Sequence, residues 1–408
     1  MIADFVWNGK KPKIKRDTLI GAKEKGGLDL PEYEIITKSL LCAWVKRMQD
    51  GANEDWMIIP SWYLKNVGGP LIFDCSYDLS LLELKNIPAF YIDILKTWAE
   101  VHDVKSAPLD KHDIREAIIW NNKNITIAGK SVYWENWHVA GILRIKDLLE
   151  EDGKFLSYGN FLRKFGLATP FTNLWGLIAA IPLGWKRELQ STNGENRQER
   201  KSTFLPGQIL TSKSARNILI QKKFKEPLAS SRLQRLGVEE MKISAIYKLP
   251  FRITRETKLS IFQFKIIHNI LPCRNLLYKM NISESPLCEF CNELETLSHM
   301  LVNCSRIRDF WNSVLFRWNS QNDDNYNFDE LGIMYGYNPG SSGSYIFNYY
   351  ILLSKRHVFL QKYEHKLPNL LLFLELVKGK MLIQRTIAHA KGQKENFLNL
   401  WKPLLTII

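Results

Sequence analysis

Cys288-Glu289-Phe290-Cys291-Asn292-Glu293-Leu294-Glu295-Thr296-Leu297-Ser298-His299-Met300-Leu301-Val302-Asn303-Cys304 is the stretch around which the rest of the chain is read. Its spacing is Cys-x2-Cys-x7-His-x4-Cys, three thiols and one imidazole in seventeen residues. A Cys-x2-Cys pair folds into a knuckle whose two sulfurs converge on one ion, and residues 292–298 are long enough to bring a second pair back from the other side. Three sulfurs and a nitrogen suit zinc, a borderline-soft ion that takes four tetrahedral ligands. With Cys288, Cys291, His299 and Cys304 all bound, no position remains for an activated water. The expectation is therefore one structural Zn2+ ion that organises the helix starting near Cys304. The competing view, small buried thiols beside a satisfied core histidine, fits the ligand spacing less well. Six cysteines in 408 residues are too few for a disulfide framework, and their reduced state points to the cytoplasm or nucleus. Cys42, Cys75 and Cys273 have no comparable partners and read as core or surface thiols.

Helical periodicity flanks this stretch on both sides. Leu259, Phe262, Ile266 and Ile270 recur at helical spacing up to Pro272, and Ile307, Phe310, Trp311, Val314, Leu315 and Trp318 do so after the cluster. Residues 205–320 thus read as one helical domain built around the metal. Asn, Asp, Gly and Ser crowd 321–344, expected as a loop, and 345–408 reads as a helical C-terminal extension with helices at 345–363 and 370–377. Upstream, 191–202 contains no apolar residue, so 191–204 is expected as a flexible linker. Residues 51–190 alternate short apolar runs with Pro and Gly breaks and form a mixed connecting region, with helical pieces over 99–104, together with the upstream Ile92, Leu95 and Trp98, and over 142–150. Residues 1–50 carry turn signals at Asn8-Gly9 and Gly26-Gly27, then a helix whose inward face is Leu40, Leu41, Trp44, Val45 and Met48. The fold class expected is mainly α and multi-domain. Most of the 13 Trp are expected in cores. The charge-free run 165–185 is interrupted by Pro170 and Pro182 and reads as a buried helix rather than a membrane span.

A formal charge of +14 and an isoelectric point near 9.3 favour polyanionic partners. Candidate phosphate contacts are Lys10, Lys11, Lys13, Lys15 and Arg16 near the start and Lys248, Arg252, Arg255, Lys258 and Lys265 before the cluster. Trp7 and Phe290 are candidate stacking residues, although core packing is the commoner fate of such side chains. No catalytic centre is legible. The chain has no His-Glu-x-x-His, no phosphate-binding Gly-x4-Gly-Lys-Ser/Thr and no Gly-x-Ser-x-Gly. Its one Asp-Asp pair, Asp323-Asp324, sits in a polar run without the flanking strands that a two-metal site needs. Met1-Ile2-Ala3-Asp4-Phe5 lacks the basic-then-apolar pattern of a secretory leader.

Several runs together carry a family likeness. They include Phe5-Val6-Trp7-Asn8-Gly9-Lys10-Lys11-Pro12 and Gly26-Gly27-Leu28-Asp29-Leu30-Pro31 at the start. Asn136-Trp137, Gly153-Lys154-Phe155 and Ala180-Ile181-Pro182 lie in the middle, and Ile246-Tyr247-Lys248-Leu249-Pro250-Phe251, Phe262-Gln263, His268 and Leu271-Pro272 lead into the Cys/His cluster. With these runs the chain resembles the C-terminal portion of LINE-class non-LTR retrotransposon reverse transcriptases, including their zinc-binding domain. The resemblance implies that 1–50 is thumb-like, that 205–320 is the zinc-binding domain, and that both grip RNA and, as a second candidate, target DNA. It also implies that the catalytic palm and endonuclease would precede residue 1, making this a non-enzymatic fragment that could meet a full-length retrotransposon protein rather than a membrane. Two alternatives stay open: a zinc-stabilised scaffold for protein partners, and a decayed fragment without a selected role.

Overall fold

The structure is a computed structural model that describes residues 12–51, 54–102, 110–190, 211–322 and 325–407. Trp7, Lys10, Lys11, the expected linker 191–204 and the Asp323-Asp324 pair lie outside the described residues. The chain is mainly α and divides into two compact units: Pro31–Lys223, and the segment up to Leu30 together with Phe224–Ile408.

In the unit Pro31–Lys223, α1 (Tyr33–Asp50) packs against α2 (Ala89–His102), and the later helix Ser212–Lys223 packs along α1 as well. The helix α1 buries Ile35, Cys42, Val45 and Met48, while Leu40, expected inward, is 58% exposed. Apolar residues occupy most of its circumference, so the partners α2 and Ser212–Lys223 decide which face is covered. Beyond α2, the fully buried Trp120 donates its indole N–H to the Ile142 carbonyl at 2.7 Å and packs edge-on to Trp137. A short hairpin, β1 (Thr126–Ile127) with β2 (Lys130–Ser131), turns through Ala128 and Gly129. Both turn residues have positive φ, the twist a two-residue hairpin requires.

The sequence expectation of a helix over 142–150 does not hold. The Asp147 carboxylate accepts the backbone N–H groups of Leu143 and Arg144, and Ile119 and Ala117 exchange backbone hydrogen bonds with Leu143 and Ile145. Those groups are lost to a helix, and only a 3-10 turn, Ile145–Leu148, remains. The run 165–185 also differs from expectation. Pro170 precedes α3 (Phe171–Ala180) and Pro182 separates it from Leu183–Gln190. Within α3 only Leu174 and Leu177 are buried, and Phe171 and Trp175 are exposed, so it is a half-covered surface helix. Among the described residues no helix is long and apolar enough to cross a membrane. Among the described tryptophans, Trp98, Trp120, Trp137, Trp311 and Trp318 are buried, Trp44, Trp134, Trp185 and Trp401 are half-buried, and Trp56, Trp62 and Trp175 are exposed. A ring of this size is seldom covered on every side.

The other unit is organised around a central helix. α4 (Glu240–Ile253), α5 (Thr257–Ile267), α6 (Arg308–Asn322), α7 (Tyr345–Tyr363), α8 (Leu370–Ala390) and α9 (Lys394–Leu405) form it, and α7 lies against α4, α5, α8 and α9. Twelve of the nineteen residues of α7 are buried, so it is a core helix rather than an amphipathic one. The expected loop 321–344 contains a short helix, Glu330–Tyr335, whose N-terminus is capped by the Asp329 carboxylate and whose Ile333 and Met334 enter the core. Buried among these elements, Lys355 donates to Gln263 Oε1 at 2.7 Å and to the Met334 carbonyl at 3.0 Å. Cys42 and Cys75 in one unit and Cys273 in the other are all buried, and burial raises all three thiols, Cys42 up to about 12. They act as small hydrophobes.

The Gly26-Gly27 turn packs onto the preceding residues 18–22. A Cβ on Gly27 would overlap the Gly21 carbonyl, a backbone group that cannot rotate aside. Gly27→Ala is therefore expected to destabilise this unit by about 3 kcal/mol, as overpacking does. A denaturant midpoint equal to that of the parent chain would contradict the packing.

Candidate metal centre

The cluster is built from two local devices. In the first, Cys288 N–H donates to the Glu293 carbonyl at 2.7 Å and Asn292 N–H to the Cys288 carbonyl at 2.8 Å. Asn292 takes a positive φ of 62°, and Leu287 bridges Leu294 across the turn. This closes a tight knuckle in which the backbone N–H groups of Phe290 and Cys291 point at the Cys288 sulfur. In the second, His299–Asn303 forms one π-helical turn, closed by Cys304 N–H donating to the His299 carbonyl at 3.0 Å. Widening the turn brings residues five apart onto one side, a geometry that recurs at functional sites. Cys304 then caps the 3-10 turn Ser305–Ile307 that runs into α6. Trp311, fully buried one turn into α6, ties the helix back by donating to the Leu301 carbonyl at 2.9 Å.

Together these devices bring the four ligand atoms within 4.8 Å of one another. Cys288 Sγ lies 3.9 Å and Cys291 Sγ 3.7 Å from Cys304 Sγ, and His299 Nε2 lies 3.2 Å from Cys291 Sγ. A tetrahedral ion with bonds of about 2.3 Å to sulfur sets its sulfurs roughly 3.8 Å apart, so the donor set fits one such ion with all four positions filled. Disulfide bonding does not account for the grouping, because all three cysteines are free. On the other edge of the imidazole, Nδ1 lies 3.5 Å from Glu293 Oε2, the carboxylate partner that commonly orients a metal-bound histidine.

Burial, aided by the Cys288 and Cys291 sulfurs, pushes the Cys304 thiol up to about 12, so only a nearby cation would hold it as a thiolate at neutral pH. Cys288 is pulled below the ordinary thiol range: burial opposes ionisation, but the Phe290 and Cys291 N–H groups and Lys362 outweigh it. Burial, then Lys362, lowers His299 and keeps its imidazole neutral, the form that binds metal.

A residue that sequence reasoning missed joins the site from α7. Lys362 Nζ lies 3.3 Å from Cys288 Sγ and 2.8 Å from Glu295 Oε2. Its ammonium also sits 5.5 Å from the centre of the Phe290 ring, so that ring packs against Lys362 and the core, a use other than base stacking. No local signal announced Lys362, which is 74 residues from Cys288 in sequence. A second grouping, Asp110, His112 and Asp113, is exposed, and Asp110 is occupied in capping its own helix.

Of the candidate phosphate contacts, Lys13, Lys15, Arg16, Arg252, Arg255 and Lys258 are exposed. Lys248 pairs with Glu24 at 3.7 Å, and Arg252 donates to the Tyr345 hydroxyl at 2.8 Å. Lys265 is half-buried, and burial, then the charges of Lys13 and Arg356, depress its pKa. Lys13, Lys265 and Arg356 therefore form one cationic grouping, although they come from three separate parts of the sequence. Arg356, on α7, also was not singled out from sequence.

Residues 233–311 match the family described as zinc-binding in reverse transcriptase. This segment contains all four side chains of the cluster and closes on Trp311, and the match supports a likeness to a reverse-transcriptase-related zinc domain. Comparison with curated proteins gives no match.

Proposed function

We propose that this chain is a nucleic-acid-binding region related to the C-terminal part of LINE-class reverse transcriptases, held in shape by one structural Zn2+ ion. The observation that carries the reading is the closed Cys288, Cys291, His299 and Cys304 set inside the reverse-transcriptase-related segment. Zinc suits it by ligand chemistry and sulfur spacing, and contributes folding energy rather than an activated water. In the same unit, Lys13, Lys265 and Arg356 supply a cationic surface, and neither lysine has an ion-pair partner among the described residues. Phosphates of RNA, or of DNA as a second partner, would relieve the mutual repulsion of these groups and release counterions. The chain acts by binding, and polymerisation and endonucleolytic chemistry belong to other segments of such enzymes.

Fluorescence anisotropy with a labelled single-stranded RNA across a salt series tests the reading. Affinity should fall steeply with salt, and the Lys13→Gln, Lys265→Gln double variant should bind more weakly with a log–log slope shallower by about 1.4, for two lost phosphate contacts. Absence of binding at low salt, or an affinity indifferent to salt, would overturn nucleic-acid binding and favour the protein-scaffold alternative.

A further inference from the structure

Lys362 stands in the last turn of α7, outside the reverse-transcriptase-related segment, yet it completes the surroundings of the metal cluster. Its side chain and that of Glu295 are each only 5% exposed. The Glu295 carboxylate is fixed from both sides: Oε2 receives Lys362 Nζ, and Oε1 receives the Arg274 backbone N–H at 2.9 Å. The ammonium is thereby held at 3.3 Å from Cys288 Sγ with little freedom to turn away.

The charges explain why this matters. One divalent ion with three thiolates and a neutral imidazole carries a net −1, and Glu295 adds another −1 in the same buried region. Lys362 returns the total to −1. Without it, two uncompensated negative charges would be held out of water, which is strongly unfavourable.

We propose that Lys362 is a positioning residue of the metal centre: its ammonium neutralises and orients the Cys288 thiolate, so that α7 is required for tight metal retention. This inference rests on the zinc reading above. It makes the metal centre a product of the whole unit rather than of the knuckle and π-turn alone.

The experiment uses the full chain, comparing Lys362→Met, Lys362→Arg, Glu295→Gln and the double variant Glu295→Gln, Lys362→Met. Two quantities are read: zinc affinity by competition with a chromophoric chelator, and the sulfur-to-metal charge-transfer band after cobalt(II) substitution. Lys362→Met should weaken zinc binding by about tenfold, as loss of an outer partner commonly does. Its charge-transfer band should move to lower energy, because a thiolate without the ammonium is the stronger electron donor. Lys362→Arg should restore most of both, and Glu295→Gln, which leaves the cation on the sulfur, should keep a parent-like band.

The double variant removes the ion pair as a unit and so guards against simple misfolding of Lys362→Met. It should still show the band shift. A parent-like band and affinity in the double variant would overturn the role of Lys362. A parent chain that takes up neither zinc nor cobalt would instead overturn the zinc reading itself.

Discussion

His299→Ala should lower zinc content and thermal stability together. The imidazole is one of the four clustered side chains proposed to hold the ion, is buried, and lies at the start of the π-turn that positions Cys304. Binding energy of a structural zinc ion is folding energy, on the order of 10 kcal/mol or more for a complete set. Removing one ligand of four should cost a large part of it, about 5 kcal/mol, which is about 10–20 °C in the transition of a unit of this size. The loss should fall on the unit containing Phe224–Ile408. Metal analysis beside calorimetry reads both quantities, and a chelator should lower the parent's transition by more than it lowers the variant's. Equal zinc in the two proteins would show that the ligand set is wrong.

The second large effect concerns Lys355, 2% exposed and facing Gln263 Oε1 and the Met334 carbonyl without a carboxylate. Burial pushes its pKa from the ordinary 10.5 down to about 7. Between those two values the unfolded chain holds a proton that the folded chain does not, so stability rises as pH increases from about 7 to about 10.5. Below about pH 7 both states are protonated and the full penalty, on the order of 5 kcal/mol, is present. Lys355→Met removes the charge but leaves Gln263 Oε1 without its donor. The variant should therefore be the more stable protein at pH 6 and lose that advantage by pH 10, where the neutral amine keeps two hydrogen bonds. Urea midpoints at pH 6, 8 and 10 measure the difference, and a difference that does not change with pH would refute the shift.

Sequence reading succeeded where the interactions are local. The four side chains of the cluster lie within seventeen residues, and the devices that converge them, the Asn292 turn and the His299–Asn303 π-turn, are closed by backbone hydrogen bonds between neighbours in the chain. The long helices around the cluster were legible for the same reason, because their apolar repeats require no distant partner to be recognised. Where a partner was needed, the sequence was ambiguous. The Asp147 carboxylate and the pairing with residues 117–119 reduce the expected helix over 142–150 to a single 3-10 turn, Ile145–Leu148, and packing against α2 turned Leu40 of α1 outward.

By itself, then, the sequence determined a mainly α chain, a Cys3His cluster and a net positive charge, all of which follow from residue identity and short-range spacing. Only the tertiary structure decided which charges meet. Lys362 reaches Cys288 across 74 residues, Lys355 reaches Gln263 across 92, and Arg356 joins Lys13 and Lys265. The physical reason is that a buried charge is tolerated only where folding brings it a compensating partner or lets it shed its proton, and that partner is chosen by helix packing. The spacing of 288–304 names a candidate metal site, and α7 supplies the buried cation beside it.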